Sequence, residues 1–393
     1  MTVLDDIRII DTDTHVSEPA DLWTSRLAKK WHELAPHVVW DEDNQIERWS
    51  WAGELSQPLG ITAMAGWHEY LPDFPRHMAD APESGAYDPV ARLAMMDKYG
   101  IYAHVLYPNI AGFGSGKFLA LGEPDLMLAC VQAYNDFLGD WVTVGGERFV
   151  PIMALPFWDV DASLREIERC MALGHKGILF TGDPDRFGQP WIADPYWNPV
   201  WSLAQEHGMT INFHVGNSDN VEGLSKVKNP FTGVQTQMIK DSVSMNQANM
   251  RHILEIITSG ICDRYPHLNF VSVESGVGWI PYFLEALDWQ WANFGPFKEH
   301  PEFEFQQPSD YFRRQVYGSF WFEGPSAVAA VEIIGADNIM FETDYPHPTC
   351  QFPGPATIAE APRDYINKAL GRLPDEALRK ILSDNAARIY HIS

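Results

Sequence analysis

The sequence predicts an α/β protein of one domain, a (β/α)8 TIM-like barrel with a long aromatic-rich insertion after strand 1. Three observations carry this. Short β-prone apolar runs alternate with helical runs about eight times along the chain, the pattern of parallel strands joined by crossover helices. The length of 393 residues exceeds an ordinary domain but suits a barrel with insertions. Metal-binding residue types recur where apolar runs stop: Asp13 and His15 close Ile9–His15, His214 closes Thr210–His214, and Asp344 closes Asn338–Asp344. In a parallel barrel such strand ends converge on one face.

Residues 7–15 read as the first strand. The stretch 16–88 is too long for a barrel loop and carries Trp23, Trp31, Trp40, Trp49, Trp51 and Trp67. It is expected as an insertion over the C-terminal face, walling a pocket or forming an interface, with a small hairpin over Asp41–Trp51. Asp88 caps a helix over 89–99 whose first residue is Pro89. A strand at 101–107, a helix at 126–142, a strand at 149–155 and a helix at 160–173, stopped by Gly174, follow. Strand 176–180, helix 195–207 and strand 209–214 complete the first five strands. A loop to about 237 has the length of a lid. Then come helix 242–259, strand 269–273, helix 279–291, strand 316–322, helix 326–334 and strand 338–341, with closing helices at 355–370 and 375–389.

Composition narrows the function. Apolar residues make up 46%, enough for a large core, and 53 acidic against 28 basic side chains give a net charge of −25. That surface repels phosphate backbones, so a nucleic-acid partner is not expected. The start has no basic and apolar leader and no run reaches about 18 apolar residues, so a cytoplasmic enzyme without a membrane span is expected. Cys130, Cys170, Cys262 and Cys350 are widely spaced and read as buried free thiols. No G-x-G-x-x-G follows a strand, which argues against an oxidoreductase.

Asp13 and His15 are spaced i, i+2 and so point the same way from a strand. With His214 and Asp344 they make a carboxylate and imidazole set suited to one divalent ion. Asp344 is placed to take a proton from water bound to that ion. Glu18, three residues after His15, reads as a support for a ligand or a substrate contact. Glu274 follows strand 269–273 and reads as a ligand, an acid/base or a helix cap. Trp67, His68, Arg251 and His347 are the remaining substrate-binding candidates, and His347 also reads as a support for the ligands. His175 and His267 precede strands and belong to the opposite, stability face, while His104 belongs to the core.

The opening Asp-Thr-Asp-Thr-His-Val-Ser-Glu-Pro, the strand-five His214 and the Asp344-Tyr345-Pro346-His347 ending resemble the metal-dependent amidohydrolase superfamily over roughly residues 7–385. The match is to the branch that holds aminocarboxymuconate-semialdehyde decarboxylase and related aromatic acid decarboxylases. The resemblance implies that Asp13, His15 and His214 hold one metal, zinc in first place. Asp rather than His at position 13 makes the set harder and admits manganese or iron. Decarboxylases of the branch tend to carry a His near the position of Glu274, so their mechanism does not transfer unchanged. The first expectation is therefore a hydrolase of a small cyclic or aromatic substrate, using metal-activated water with Asp344 as base. The alternatives are a metal-dependent decarboxylase of an aromatic or unsaturated acid, and a metal-free binding barrel. A dinuclear site bridged by lysine is not expected, because Lys176 begins strand four rather than ending it. Barrels of this kind commonly associate, so a homo-oligomer is expected.

Overall fold

The computed structural model describes residues 3–110, 115–216 and 231–393. Its strands are β1 (Ile9–His15), β2 (His37–Asp41), β3 (Ile46–Trp51), β4 (Glu54–Pro58), β5 (Ile101–Tyr107), β6 (Phe149–Ala154), β7 (Gly177–Leu179), β8 (Thr210–His214), β9 (Phe270–Val273), β10 (Val316–Phe320) and β11 (Ile339–Phe341). Eight of them form one parallel sheet in the order β1-β5-β6-β7-β8-β9-β10-β11. The sheet returns on itself. Thr14 bridges Tyr345, the Asp344 N–H donates to the Asp13 carbonyl at 2.9 Å, and the His15 N–H donates to the Tyr345 carbonyl at 2.7 Å. The predicted (β/α)8 barrel is the observed fold.

Two apolar cores follow from this closure. Alternate residues fill the barrel interior: Ala103, Val105 and Tyr107 from β5, Val150 and Ile152 from β6, Val271 and Val273 from β9. Ala386, Ile389 and Tyr390 from the C-terminal helix join the same cluster. Gly177 opens β7 where an added Cβ would lie 2.4 Å from the Thr210 hydroxyl, so only glycine lets β7 approach β8 so closely. The second core lies between sheet and helices and includes Trp197, Trp201 and Phe180 in edge-to-face contact.

The register of β1 shifts between Asp11 and Thr14. Ile10 packs in the interior cluster, whereas Asp11 faces His104, 3.7 Å away, and accepts the Thr343 N–H at 2.9 Å. The irregularity changes the phase of the strand, so Asp13 and His15 rather than Thr12 and Thr14 turn inward beyond it.

Residues 16–88 hold β2, β3 and β4 as an antiparallel sheet of three strands, one more than the hairpin expected. Other boundaries also differ. The expected helix 242–259 is two helices, Val234–Met245 and Ala248–Thr258. The expected helix 355–370 begins only at Pro362, where proline supplies the preset φ of a first helical position. The last helix carries a π-turn at Lys380–Asp384 between Asp375–Arg379 and Asn385–Tyr390. The lid-length loop after β8 falls largely on residues 217–230, outside the described residues. Among the described residues no helix is long and apolar enough to cross a membrane, and all four cysteines are buried free thiols.

His175 precedes β7 at the predicted structural face and is buried, with Nε2 3.1 Å from the Asn135 carbonyl. Burial lowers its pKa to about 4. A histidine whose folded pKa lies below its unfolded value binds fewer protons when folded, so stability rises with pH across the interval between them. The protein should therefore lose stability as pH falls from about 6.5 to about 4, and His175→Gln should flatten that part of the slope. Urea-unfolding midpoints taken across this range check it, and an unchanged slope would refute it.

Candidate metal centre

Six of the side chains singled out in the sequence meet at the C-terminal end of the barrel: Asp13, His15, His214, Glu274, Asp344 and His347. The period-two alternation of β1 and β8 delivers the first three, all with no exposed surface. Glu274 and Asp344 arrive differently. Both lie just beyond strands with φ of 56° and 60°, the left-handed region that costs a residue with a Cβ roughly 1–2 kcal/mol. Val273 already points inward, so ordinary alternation would turn Glu274 out. The positive φ re-aims its carboxyl to 3.4 Å from Nδ1 of His214. Residues held in this region at a site of converging polar groups are a mark of function rather than of folding.

Oδ1 of Asp13 lies 3.4 Å from Nε2 of His15 and 3.3 Å from Nε2 of His214. The two Nε2 atoms are 3.3 Å apart, and Nε2 of His15 is 3.6 Å from Oδ1 of Asp344. Donor atoms about 2.1 Å from one ion sit about 3 Å apart when adjacent, so Asp13, His15 and His214 are spaced to share one divalent cation, with Asp344 beside His15. Neither oxygen of Asp13, nor Oδ1 of Asp344, accepts a hydrogen bond, although all are buried. Such orphaned acceptors are costly without a cation. His214 directs its other nitrogen to the Val215 carbonyl at 2.8 Å and His15 directs Nδ1 toward that of Pro108 at 3.3 Å, the support expected behind ligating imidazoles. The residues present fit a metal.

The electrostatics agree. Burial alone would raise Asp13, but the imidazoles of His214 and His15 outweigh it and hold its carboxyl below the usual carboxylate range. Burial lowers His15 to about 3. Burial also opposes charge on His214, yet Asp13 and Glu274 together bring it up to about 8. Glu274 and Asp344 are both pushed well above the carboxylate range by burial, and then by Asp344 and Asp13 respectively. Ligand atoms of Glu274, Asp344 and Asp13 lie within 4.8 Å of one another.

The other candidates stand apart. Glu18 is 1% exposed and spends Oε1 on the N–H groups of Asn109 and Ile110, at 2.8 and 3.0 Å, rather than opening toward a ligand. Trp67 donates Nε1–H to Asp73 at 2.9 Å and His68 is an exposed ring beside it. Their segment reaches the loop after β11, because Met64 and Ala65 donate to the Pro346 carbonyl. Arg251 is tied to Asp183 at 2.9 Å, beside His252, outside the cluster.

Three functional residues escaped the sequence reading. Glu342, fully buried, takes the Glu274 N–H at 3.2 Å and the Ser319 hydroxyl. Its i, i+2 spacing from Asp344 was the available signal. Asn109 contacts Nε2 of His347, and its own spacing from Tyr107 continues the inward phase of β5. Arg92, fully buried, donates to the carbonyls of His15, at 2.6 Å, and of Gly85. It thereby clamps a ligand's backbone, and nothing in an amphipathic helix announces that.

Comparison with known proteins places this geometry. A protein-family model described as amidohydrolase matches residues 10–392. A gamma-resorcylate decarboxylase from Polaromonas sp. strain JS666 is 28% identical over 262 residues, which span 65% of this chain and 76% of that one. The crystal structure of an amidohydrolase from Mycobacterium avium subsp. paratuberculosis K-10 superposes with a TM-score of 0.76 at 22% identity, covering 98% of this chain and 99% of that one. A dihydroxybenzoic acid decarboxylase from Polaromonas sp. JS666, solved with manganese and 2-nitroresorcinol, superposes with a TM-score of 0.60 at 21% identity, covering 98% and 96%. The fold is shared with both solved structures, the family match runs nearly end to end over the strands that carry the cluster, and the chain belongs to the amidohydrolase family.

Proposed function

We propose that this enzyme is a metal-dependent decarboxylase of a small aromatic acid, and that Glu274 is its proton donor. The observation that carries the reading is a carboxyl at the end of β9, 3.4 Å from His214 and within 4.8 Å of Asp13 and Asp344, where protonation of a ring carbon needs an acid. The kinship with a gamma-resorcylate decarboxylase supports the same choice. Hydrolysis, put first by the sequence alone, draws support only from the broad family.

Asp13, His15, His214 and Asp344 would hold the ion, zinc or manganese. When bound it supplies a positive charge that anchors the substrate carboxylate and an adjacent ring oxygen. The remaining steps belong to the chain's own groups. Burial and the neighbouring Asp344 push the Glu274 carboxyl well above the usual carboxylate range, the direction a proton donor needs. Glu274 gives that proton to the ring carbon bearing the carboxylate. The bond from this carbon to the carboxylate then breaks, its electron pair returns to the ring, and carbon dioxide leaves. Glu274, now ionised beside His214, recovers a proton from solvent. The insertion 16–88 walls the pocket through the N–H groups of Met64 and Ala65 on the Pro346 carbonyl, in the segment that carries Trp67 and His68.

Three outcomes test the reading. Purified protein should carry about one equivalent of a transition metal by elemental analysis, lost in Asp13→Ala and in His214→Ala. A metal-free parent, even after growth with added zinc, manganese and iron, would return the binding-barrel alternative. Offered hydroxybenzoates and related acids in deuterated water, the loaded enzyme should release carbon dioxide and place one deuterium on the carbon that lost it. Turnover of cyclic amides or lactones with no such release would favour hydrolysis. Glu274→Gln should keep the metal and lose roughly 10²–10⁴-fold in kcat, the usual worth of a positioned acid.

A further inference from the structure

We infer that His347 is a fifth protein ligand of the metal, binding through Nδ1, and that Asn109 is the positioning residue that aims it. The inference rests on the metal site proposed above but adds a residue to it. Nδ1 of His347 lies 2.7 Å from Oδ1 of Asp344, and ligand atoms of His15, Asp344 and His347 lie within 4.8 Å of one another. The His347 ring stacks on His15 with centroids 3.8 Å apart and planes 23° apart, so the two imidazoles present their edges together.

The hydrogen-bond chain behind the ring decides which nitrogen is available. Asn109 donates Nδ2–H to the Val16 carbonyl at 2.9 Å, which fixes the amide with Oδ1 toward His347. The Asn109 backbone is pinned in turn by Glu18, whose Oε1 accepts its N–H at 2.8 Å. An amide oxygen only accepts, so Nε2 of His347 carries the proton of the neutral ring and Nδ1 carries the lone pair. That lone pair meets Oδ1 of Asp344, which accepts no hydrogen bond. Two acceptors at 2.7 Å repel, and one cation shared between them removes the conflict. A ring nitrogen facing the ion, with its N–H given to a fixed oxygen behind, is the arrangement of metal-ligating histidines generally.

X-ray absorption on the zinc-loaded protein reads this directly. Three imidazoles in the coordination shell of the parent and two in His347→Gln are expected. Chelator competition should show zinc affinity reduced by roughly 10–100-fold in Asn109→Leu, which removes only the support behind the ring. Asn109→Asp keeps an acceptor facing Nε2 and should restore most of the loss. Two imidazoles in the parent would overturn the inference while leaving the metal site standing. So would affinity unchanged within about twofold in both His347→Gln and Asn109→Leu, well short of the range expected for a lost support. A parent that binds no zinc at all would overturn the metal site itself.

Discussion

The structure turns on one electrostatic constraint: four carboxylates, Asp13, Glu274, Glu342 and Asp344, are buried together at one barrel mouth. Like charges in a low dielectric cannot all stay ionised without compensation. The protein answers partly by setting His214 beside Asp13 and partly by burial, which pushes the other three carboxyls well above the usual carboxylate range. The orphaned oxygens of Asp13 and Asp344 mark where compensation from the protein ends. A divalent ion completes it, and the pair of imidazoles beside those oxygens makes a transition metal a better occupant than magnesium or calcium.

Holding such a cluster demands rigidity, and the support comes from behind each group. Arg92 grips the His15 carbonyl while its guanidinium lies 4.5 Å over the Tyr345 ring, so one buried cation steadies both the first strand and the loop after the last. Its Nη1 faces Nδ1 of His104 at 3.3 Å, and His104 faces Asp11, which takes two hydrogen bonds from Thr343. The outward face of β1 thus locks the barrel seam while its inward face presents the ligands. The register shift between Asp11 and Thr14 lets adjacent residues of one short strand do both.

Much of this was legible in the sequence, and the boundary of legibility is physical. Asp13, His15, His214 and Asp344 stood out because each ends an apolar run, and strand period and barrel topology fix where such residues point. Glu18 was singled out as a support for a ligand or a substrate contact, but its actual partners were not legible. Its burial follows from backbone donors 91 and 92 residues away, which no local pattern encodes. Arg92 hid for the same reason, since a cation on a helix reads as solvated unless its partners are known. Glu274 was visible as a ligand, an acid/base or a helix cap, but the choice among these was not legible because its direction depends on a positive φ that breaks the period. The helix that begins at Pro362 was expected from Pro355, although Pro362 is itself a first-position signal. The run 242–259 looked continuous because its break at residues 246–247 contains neither glycine nor proline.

The choice of a carboxylic acid on β9, where the resembling decarboxylases tend to carry histidine, has a consequence for charge. A neutral acid that gives up its proton becomes an anion in a mouth already crowded with buried carboxyls. In decarboxylation the substrate enters as a carboxylate and its charge departs as neutral carbon dioxide. The proton moves from Glu274 to the ring, one negative charge disappears from the substrate, and one appears on Glu274, 3.4 Å from the imidazole of His214. The net charge of the buried site is the same before and after. An imidazolium donor would instead have to enter the cycle charged, next to the metal, against both burial and like-charge repulsion. In a mouth built from carboxylates, a protonated glutamic acid is the donor whose proposed cycle leaves the electrostatic balance intact.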